Sequence, residues 1–192
     1  LNASDGVPGV LDRLFDEPRY RNIEKIKSIG SSFMIASGLC PNEDGDDNSS
    51  AADSMQHLYD LFDFALELYE KLESFNNEAM SVCHFKFQMR MGLNFGPVTA
   101  GVIGTEKLLY DIWGDTVNVA SRMDSTGQSG YIQTPDRVAL MLKDTYKFVE
   151  RGVVQIKGKD QMLTYLMNPK ENVKKSGATA ATDSAGGFSN PF

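Results

Sequence analysis

The sequence predicts an α+β domain, a sheet covered by helices, and three observations predict it. Apolar residues recur at three- and four-residue spacing over 53–73, the period of a helix packed along one face. Alternating or β-branched runs flank that stretch on both sides. The resulting order is hairpin, helix, strand pair, helix, strand, which lays helices over a sheet. With 192 residues, 41% of them hydrophobic, the chain is large enough for one domain with its own core.

Residues 1–9 contain Gly6, Pro8 and Gly9 and read as irregular. A short helix over 10–15 ends before Pro18, because a proline drives the preceding residue out of the helical region. Ile23, Ile26, Ile29, Phe33 and Ile35 occupy β-favouring positions and mark a hairpin. Residues 41–52 carry Glu43, Asp44, Asp46 and Asp47 and read as a solvated acidic loop. In the helix over 53–73, Met55, Leu58, Phe62, Ala65, Tyr69 and Leu72 form the stripe, and Leu61 and Leu68 widen it. A stripe of this kind is core rather than a cofactor box. Residues 85–91 alternate and predict a strand; 98–103 predict a short apolar one. Asp111 ends an apolar run, Gly114 breaks it, and 116–123 read as helix. A helix over 136–144 is opened by Pro135. Residues 153–156 and 162–167 read as late strands. The tail rich in Ala, Ser, Gly and Thr has little to bury, so the domain is placed at 1–168 and a disordered tail at 169–192.

The net charge of −7 argues against a nucleic-acid-binding surface, which is usually basic. Cys40 and Cys83 could pair, but reduced thiols are the simpler reading. Two Cys with His57 and His84 make no metal cluster at these spacings, and both histidines read as structural or solvated. No apolar run approaches a bilayer span and no signal peptide is visible, which by itself predicts a soluble chain.

The chemistry concentrates in one strand-to-helix unit that carries a carboxylate, an amide and a guanidinium: Asp111, Asn118 and Arg122. Asn118 and Arg122 are four apart and share a helical face. The pair offers donors and a neutral acceptor, which suits a phosphate better than a metal. Taken alone, Arg122 reads as a surface arginine paired with an acid, and Lys27 as a strand lysine paired with Glu24.

This unit, LLYDIWGDTVNVASRMD over 108–124, closely resembles the class III nucleotidyl cyclases, and within them the second cytoplasmic catalytic domain of membrane-bound adenylyl cyclases. Three further blocks match in order: IEKIKSIGSSFM over 23–34, MGLNFGPVTAGVIG over 91–104, and RGVVQIKGK over 151–159. The resemblance spans roughly residues 10–168, and GTEKLLY over 104–110 is most similar to the type-nine branch. It implies a ferredoxin-like cyclase core. In the family a strand and a long helix precede the hairpin; here Gly6, Pro8 and Gly9 stand where helix should be, so the expectation is an N-terminally truncated domain lacking both.

The resemblance also implies roles. Lys27 and Asp111 match the pair that reads adenine, and Ile112 lies beside them in the substrate site. A carboxylate takes the exocyclic amino donor and an ammonium serves the ring-nitrogen acceptor. Guanine inverts that pattern, and guanylyl cyclases typically carry Glu and Cys at these places, so a guanylyl cyclase subunit is disfavoured. Asn118, Arg122 and Lys157 match the catalytic residues that orient the ribose, contact the phosphates and neutralise the leaving end, with Lys159 as the other candidate for the last role. The family uses two Mg2+ or Mn2+ ions held by aspartates. Here Ser31 follows Gly30 where the metal-bearing half has Asp, so no metal ligand is assigned to this chain and the ions fall to a partner domain. Ser31 matches instead a position lining an allosteric pocket for a diterpene activator. The implied function is half of an adenylyl cyclase site, converting ATP to 3′,5′-cyclic AMP and pyrophosphate when paired with a homologous first cytoplasmic domain. The rival reading is a non-catalytic interaction module. The further implied partner is a stimulatory G-protein α subunit, docking near the segment 74–84 through Phe75, Asn76, Asn77 and Met80 unless these close onto the core. The implied location is the cytoplasmic face of the plasma membrane, within a polytopic parent protein.

Overall fold

The computed structural model describes residues 6–39, 51–84, 86–155 and 161–172. The first described element is a helix, α1 (Gly6–Phe15): the short helix expected over 10–15 is present and begins four residues earlier, within the stretch read as irregular. Packing overrides propensity here: Leu11 and Leu14, 1% and 0% exposed, join a cluster with Phe64 and Leu68 of the long helix that follows. A 3-10 turn (Pro18–Tyr20) leads into strands β1 (Ile23–Ile29) and β2 (Ser32–Ser37), the expected antiparallel hairpin. Gly30, at φ 61°, and Ser31 make its turn. Lys25 pairs with Ile35 and Lys27 with Met34, leaving Ile26 as an extra residue in β1. Such a bulge bends a strand and re-aims the side chains beyond it. The acidic loop and Cys40 fall, from 40 to 50, outside the described residues.

Helix α2 (Ala51–Cys83) is the spine. Phe64, Leu68, Leu72 and Phe75 pack with Leu11, Leu14, Tyr20 and Ile23. Leu58, Phe62, Ala65 and Leu66 pack with Ile132, Val138, Leu142, Tyr146 and Met167. The helix runs on to Cys83 instead of stopping at residue 73, so 74–83 is not a loop. Phe75 is 4% exposed and Asn76 1%. The Asn76 amide donates to the Phe87 carbonyl at 2.8 Å and accepts from the Phe87 N–H at 2.8 Å. These two residues are therefore core and clamp, which removes them from the expected docking face; Ser74 and Asn77 stay exposed. Asn76→Ala is expected to lower stability by about 2 kcal/mol, because both buried hydrogen bonds go. Chemical denaturation checks this, and loss of partner binding at unchanged stability would restore Asn76 as a contact residue.

Beyond α2 come β3 (Met91–Gly92), β4 (Thr99–Ile103), β5 (Leu109–Trp113), α3 (Asp115–Ser125), β6 (Ile132–Pro135), α4 (Asp136–Leu142), β7 (Phe148–Gln155), β8 (Gln161–Met167) and α5 (Pro169–Asn172). The strand expected over 85–91 is reduced to β3; residues 86–90 carry no strand, and Phe85 lies outside the described residues. β3 is an edge of the four-stranded order β3-β6-β8-β7, and among the described residues it has a strand neighbour on one side only. A ladder needs a partner, and Asn76 instead holds this approach segment. The described strands thus form three sheets: the β1-β2 hairpin, the four-stranded sheet, and a separate antiparallel β4-β5 ribbon. The α+β class stands. In β7, Glu150 pairs with Tyr165 and Gly152 with Thr164, so Arg151 is an extra residue there. The start of the expected tail forms the turn α5, tied down where Asn172 Oδ1 accepts from the Lys147 N–H at 2.6 Å; 173–192 lie outside the described residues.

Candidate active site

Two ladders that share no backbone pairing meet at Lys27 and Asp111. Lys27, just past the β1 bulge, places Nζ 2.8 and 2.7 Å from the two carboxylate oxygens of Asp111 on β5. The side chains are 36% and 22% exposed, so the pair is open to a ligand. The Lys27 hydrogen bonds, and then the Ile112 N–H at 2.9 Å, hold the Asp111 carboxyl below the usual carboxylate range. A depressed carboxyl favours the folded state above its unfolded pKa, and that contribution is lost as pH falls through the folded value. At neutral pH Asp111 is therefore an acceptor only, beside an ammonium that only donates. Ile112 is 6% exposed; its side chain is core, and its N–H orients the carboxylate.

Two residues on, Gly114 adopts φ 132° and starts α3. The Thr116 hydroxyl donates to the Pro97 carbonyl at 2.7 Å, and Asn94 donates to the Thr116 carbonyl at 2.9 Å. Arg137 in turn donates to Asn94 Oδ1 at 2.8 Å. Val119 and Met123, both 0% exposed, fix the inner face of α3. That leaves Asn118 exposed and Arg122 half-buried on the outer side. Among the described residues neither side chain has a hydrogen-bond or ion-pair partner, so the surface ion pair that Arg122 alone suggests is not formed there. A guanidinium and an amide four residues apart on a fixed helix can address an anion from one direction.

Ser31 sits exposed in the hairpin turn. Lys157 and Lys159 lie outside the described residues. The resemblance puts a metal-binding aspartate where this chain has Ser31, and a hydroxyl does not replace a carboxylate as ligand to a hard cation. Among the described residues no three His, Cys, Asp or Glu side chains gather as a ligand set. Sequence reasoning missed Asn94 and Arg137, which brace α3, together with the whole of β6. Asn94 lies in the quoted MGLNFG block, but nothing in a lone Asn announces that it caps a carbonyl 22 residues on.

Residues 7–169 match the model of the adenylate and guanylate cyclase catalytic domain. This chain belongs to that family. It is 49% identical over 164 residues to adenylate cyclase type 9 of Xenopus laevis, covering 85% of this chain and 12% of that protein. It is 42% identical over 179 residues to the germination-specific adenylate cyclase of Dictyostelium discoideum, covering 90% of this chain and 19% of that one. The chain thus spans under a fifth of the length of these curated relatives. Among solved structures, the guanylate cyclase domain of RhGC from Catenaria anguillulae in complex with GTP aligns with a TM-score of 0.65 at 27% identity, covering 86% of this chain and 81% of that one. The cyclase fold is therefore this chain's fold, and the Lys27–Asp111 pair and the α3 platform are features of a cyclase domain.

Proposed function

We propose that this cyclase domain is the base- and phosphate-contacting half of an adenylyl cyclase site. It acts on ATP, giving 3′,5′-cyclic AMP and pyrophosphate, once paired with a homologous domain that brings the divalent ions, Mg2+ or Mn2+. The observation that carries this reading is the Lys27–Asp111 contact at 2.7 Å, a donor and an acceptor side by side as adenine's edge requires. The names of the curated relatives agree with it. Pairing is supported by the β4-β5 ribbon, where Val102, Leu108 and Leu109 are 62%, 72% and 64% exposed. An apolar patch of this kind marks an interaction surface.

The ribose 3′-hydroxyl attacks the α-phosphate and gives up its proton to water, an O–P bond forms, the bond from the α-phosphorus to the bridging oxygen breaks, and pyrophosphate leaves with that oxygen. The divalent ions supply charge neutralisation at the phosphates. From this half, Lys27 and Asp111 hold the base, Asn118 orients the ribose, and Arg122 meets the negative charge that builds on phosphate oxygens. Lys157 is assigned to the leaving end and Ser31 to an activator pocket. The parent protein places the domain on the cytoplasmic face of the plasma membrane; among the described residues no helix is long and apolar enough to cross a membrane. A stimulatory G-protein α subunit remains a proposed partner, through exposed Ser74 and Asn77 on α2 rather than Phe75, while the Met80 side chain lies outside the described residues.

The test is base choice. In the complemented enzyme, Lys27→Glu with Asp111→Cys is expected to lower the ATP-over-GTP ratio of kcat/KM by roughly ten- to a hundred-fold, the worth of about 1–3 kcal/mol of polar complementarity. An unchanged ratio removes these residues from base reading. The second reading, an interaction module without turnover, is favoured by the turn at Ser31 and the apolar ribbon; a complemented pair that assembles yet makes no cyclic AMP would select it.

A further inference from the structure

The peptide of Arg122 is the end point of a hydrogen-bond chain that crosses the sheet. Its carbonyl accepts from the Thr126 N–H at 3.0 Å, the Thr126 hydroxyl at 2.6 Å and the Ser125 hydroxyl at 3.4 Å. The Thr126 hydroxyl in turn accepts from Gln133 Nε2 at 2.9 Å. Gln133 lies on β6 and is 0% exposed. Its Oε1 accepts from Arg151 Nη1, which also donates to the Thr126 carbonyl. Arg151 reaches this point because it is the extra residue of the β7 bulge. Gly152 beside it adopts φ 108°, which side chains rarely allow, and the Thr164 hydroxyl secures the Gly152 carbonyl at 2.9 Å. The cation also lies at the C-terminal end of α3, where the helix dipole favours it.

We propose that Arg151, Gln133 and Thr126 are positioning residues for catalysis: a polar relay from β7 through β6 that sets the turn carrying Arg122. A fully buried glutamine is a demanding anchor, since every lost partner leaves an amide dry. The relay ends on the backbone of the one cation that α3 presents to solvent on the face it shares with Asn118. Without it, the last turn of α3 frays, as helix ends do when their carbonyls lose donors. Arg122 then samples several directions instead of one. The proposal rests on the reading of Arg122 as a phosphate contact.

The test uses the full chain complemented with a metal-bearing cyclase domain. Thr126→Val, which keeps the shape and removes the hydroxyl, is expected to lower kcat between about ten- and a hundred-fold with KM little changed, the range for a catalytic group displaced by an ångström or so. Thr126→Ser is expected to restore it. Arg151→Lys keeps the charge at an exposed site but cannot span both acceptors, and should lower kcat without unfolding the domain. On an Arg122→Ala background, Thr126→Val should add no further loss. Parental kcat in both Thr126→Val and Arg151→Lys, or equal losses with and without Arg122, overturns the relay while leaving Arg122 in place. If Arg122→Ala alone leaves kcat intact, the phosphate role falls, and the relay with it.

Discussion

Purified alone, this chain is expected to make no cyclic AMP with magnesium or manganese, and to gain activity when mixed with a cyclase domain that carries the metal aspartates. The reason lies in the hairpin turn. Gly30 and Ser31 present a hydroxyl, and no carboxylate, at the place where the family resemblance puts a hard-cation ligand. A homodimer only repeats the deficiency, because each copy brings the same turn. The exposed residues of the β4-β5 ribbon, Leu108 and Leu109 among them, make association itself unsurprising, so the assay must read product rather than assembly. Cyclic AMP production by the purified chain at a rate matching the mixture overturns the division of labour between two halves.

In the complemented heterodimer, Asn118→Ala and Arg122→Ala are each expected to lower kcat by roughly 10²-fold or more, the size found when one preorganised charge-stabilising donor is removed. Their KM should move much less, because an interaction made mainly in the transition state contributes little to ground-state binding. The geometry makes this a clean experiment. The inner face of α3 is carried by Val119 and Met123, so truncating the outer face leaves the packing intact. Asn118 and Arg122 have no side-chain partners among the described residues, so their loss strands no other group. Steady-state kinetics with sedimentation of the mixed domains reads both outcomes. A rise in KM at constant kcat makes them ground-state binders. Failure to assemble makes α3 an interface element and strengthens the interaction-module reading.

The candidate site was legible in outline because its residues are local. Asp111, Gly114, Asn118 and Arg122 lie within one strand-to-helix unit, and the helical period alone puts Asn118 beside Arg122. The hairpin, the α2 stripe and α4 were legible for the same reason: their apolar periods are set by short-range geometry. The body of α1 over 10–15 was legible too, but its first turn was not, because Gly6, Pro8 and Gly9 oppose helix locally and the burial of Leu11 and Leu14 against Phe64 and Leu68 outweighs them. The end of α2 was missed because Asn76 looks like a loop residue until Phe87 supplies both its partners. The strand over 85–91 was over-read because alternation describes a residue pattern, while a strand also needs a neighbour to pair with.

What the sequence by itself determined is therefore the family, the α+β class and which residues are the candidates to read a base and meet a phosphate. The class follows from residue type and spacing along the chain; the family and the candidate roles follow from the resemblance its motifs carry. Only the tertiary structure decided that Lys27 reaches Asp111 across 84 positions of sequence, that Ile112 and Phe75 are core, and that Gln133 and Arg151 converge on the turn of Arg122. Two one-residue bulges, at Ile26 and Arg151, bring Lys27 and the relay into place. A bulge turns a side chain by shifting the register of two paired strands, and register belongs to the pair; it cannot be read from either strand alone.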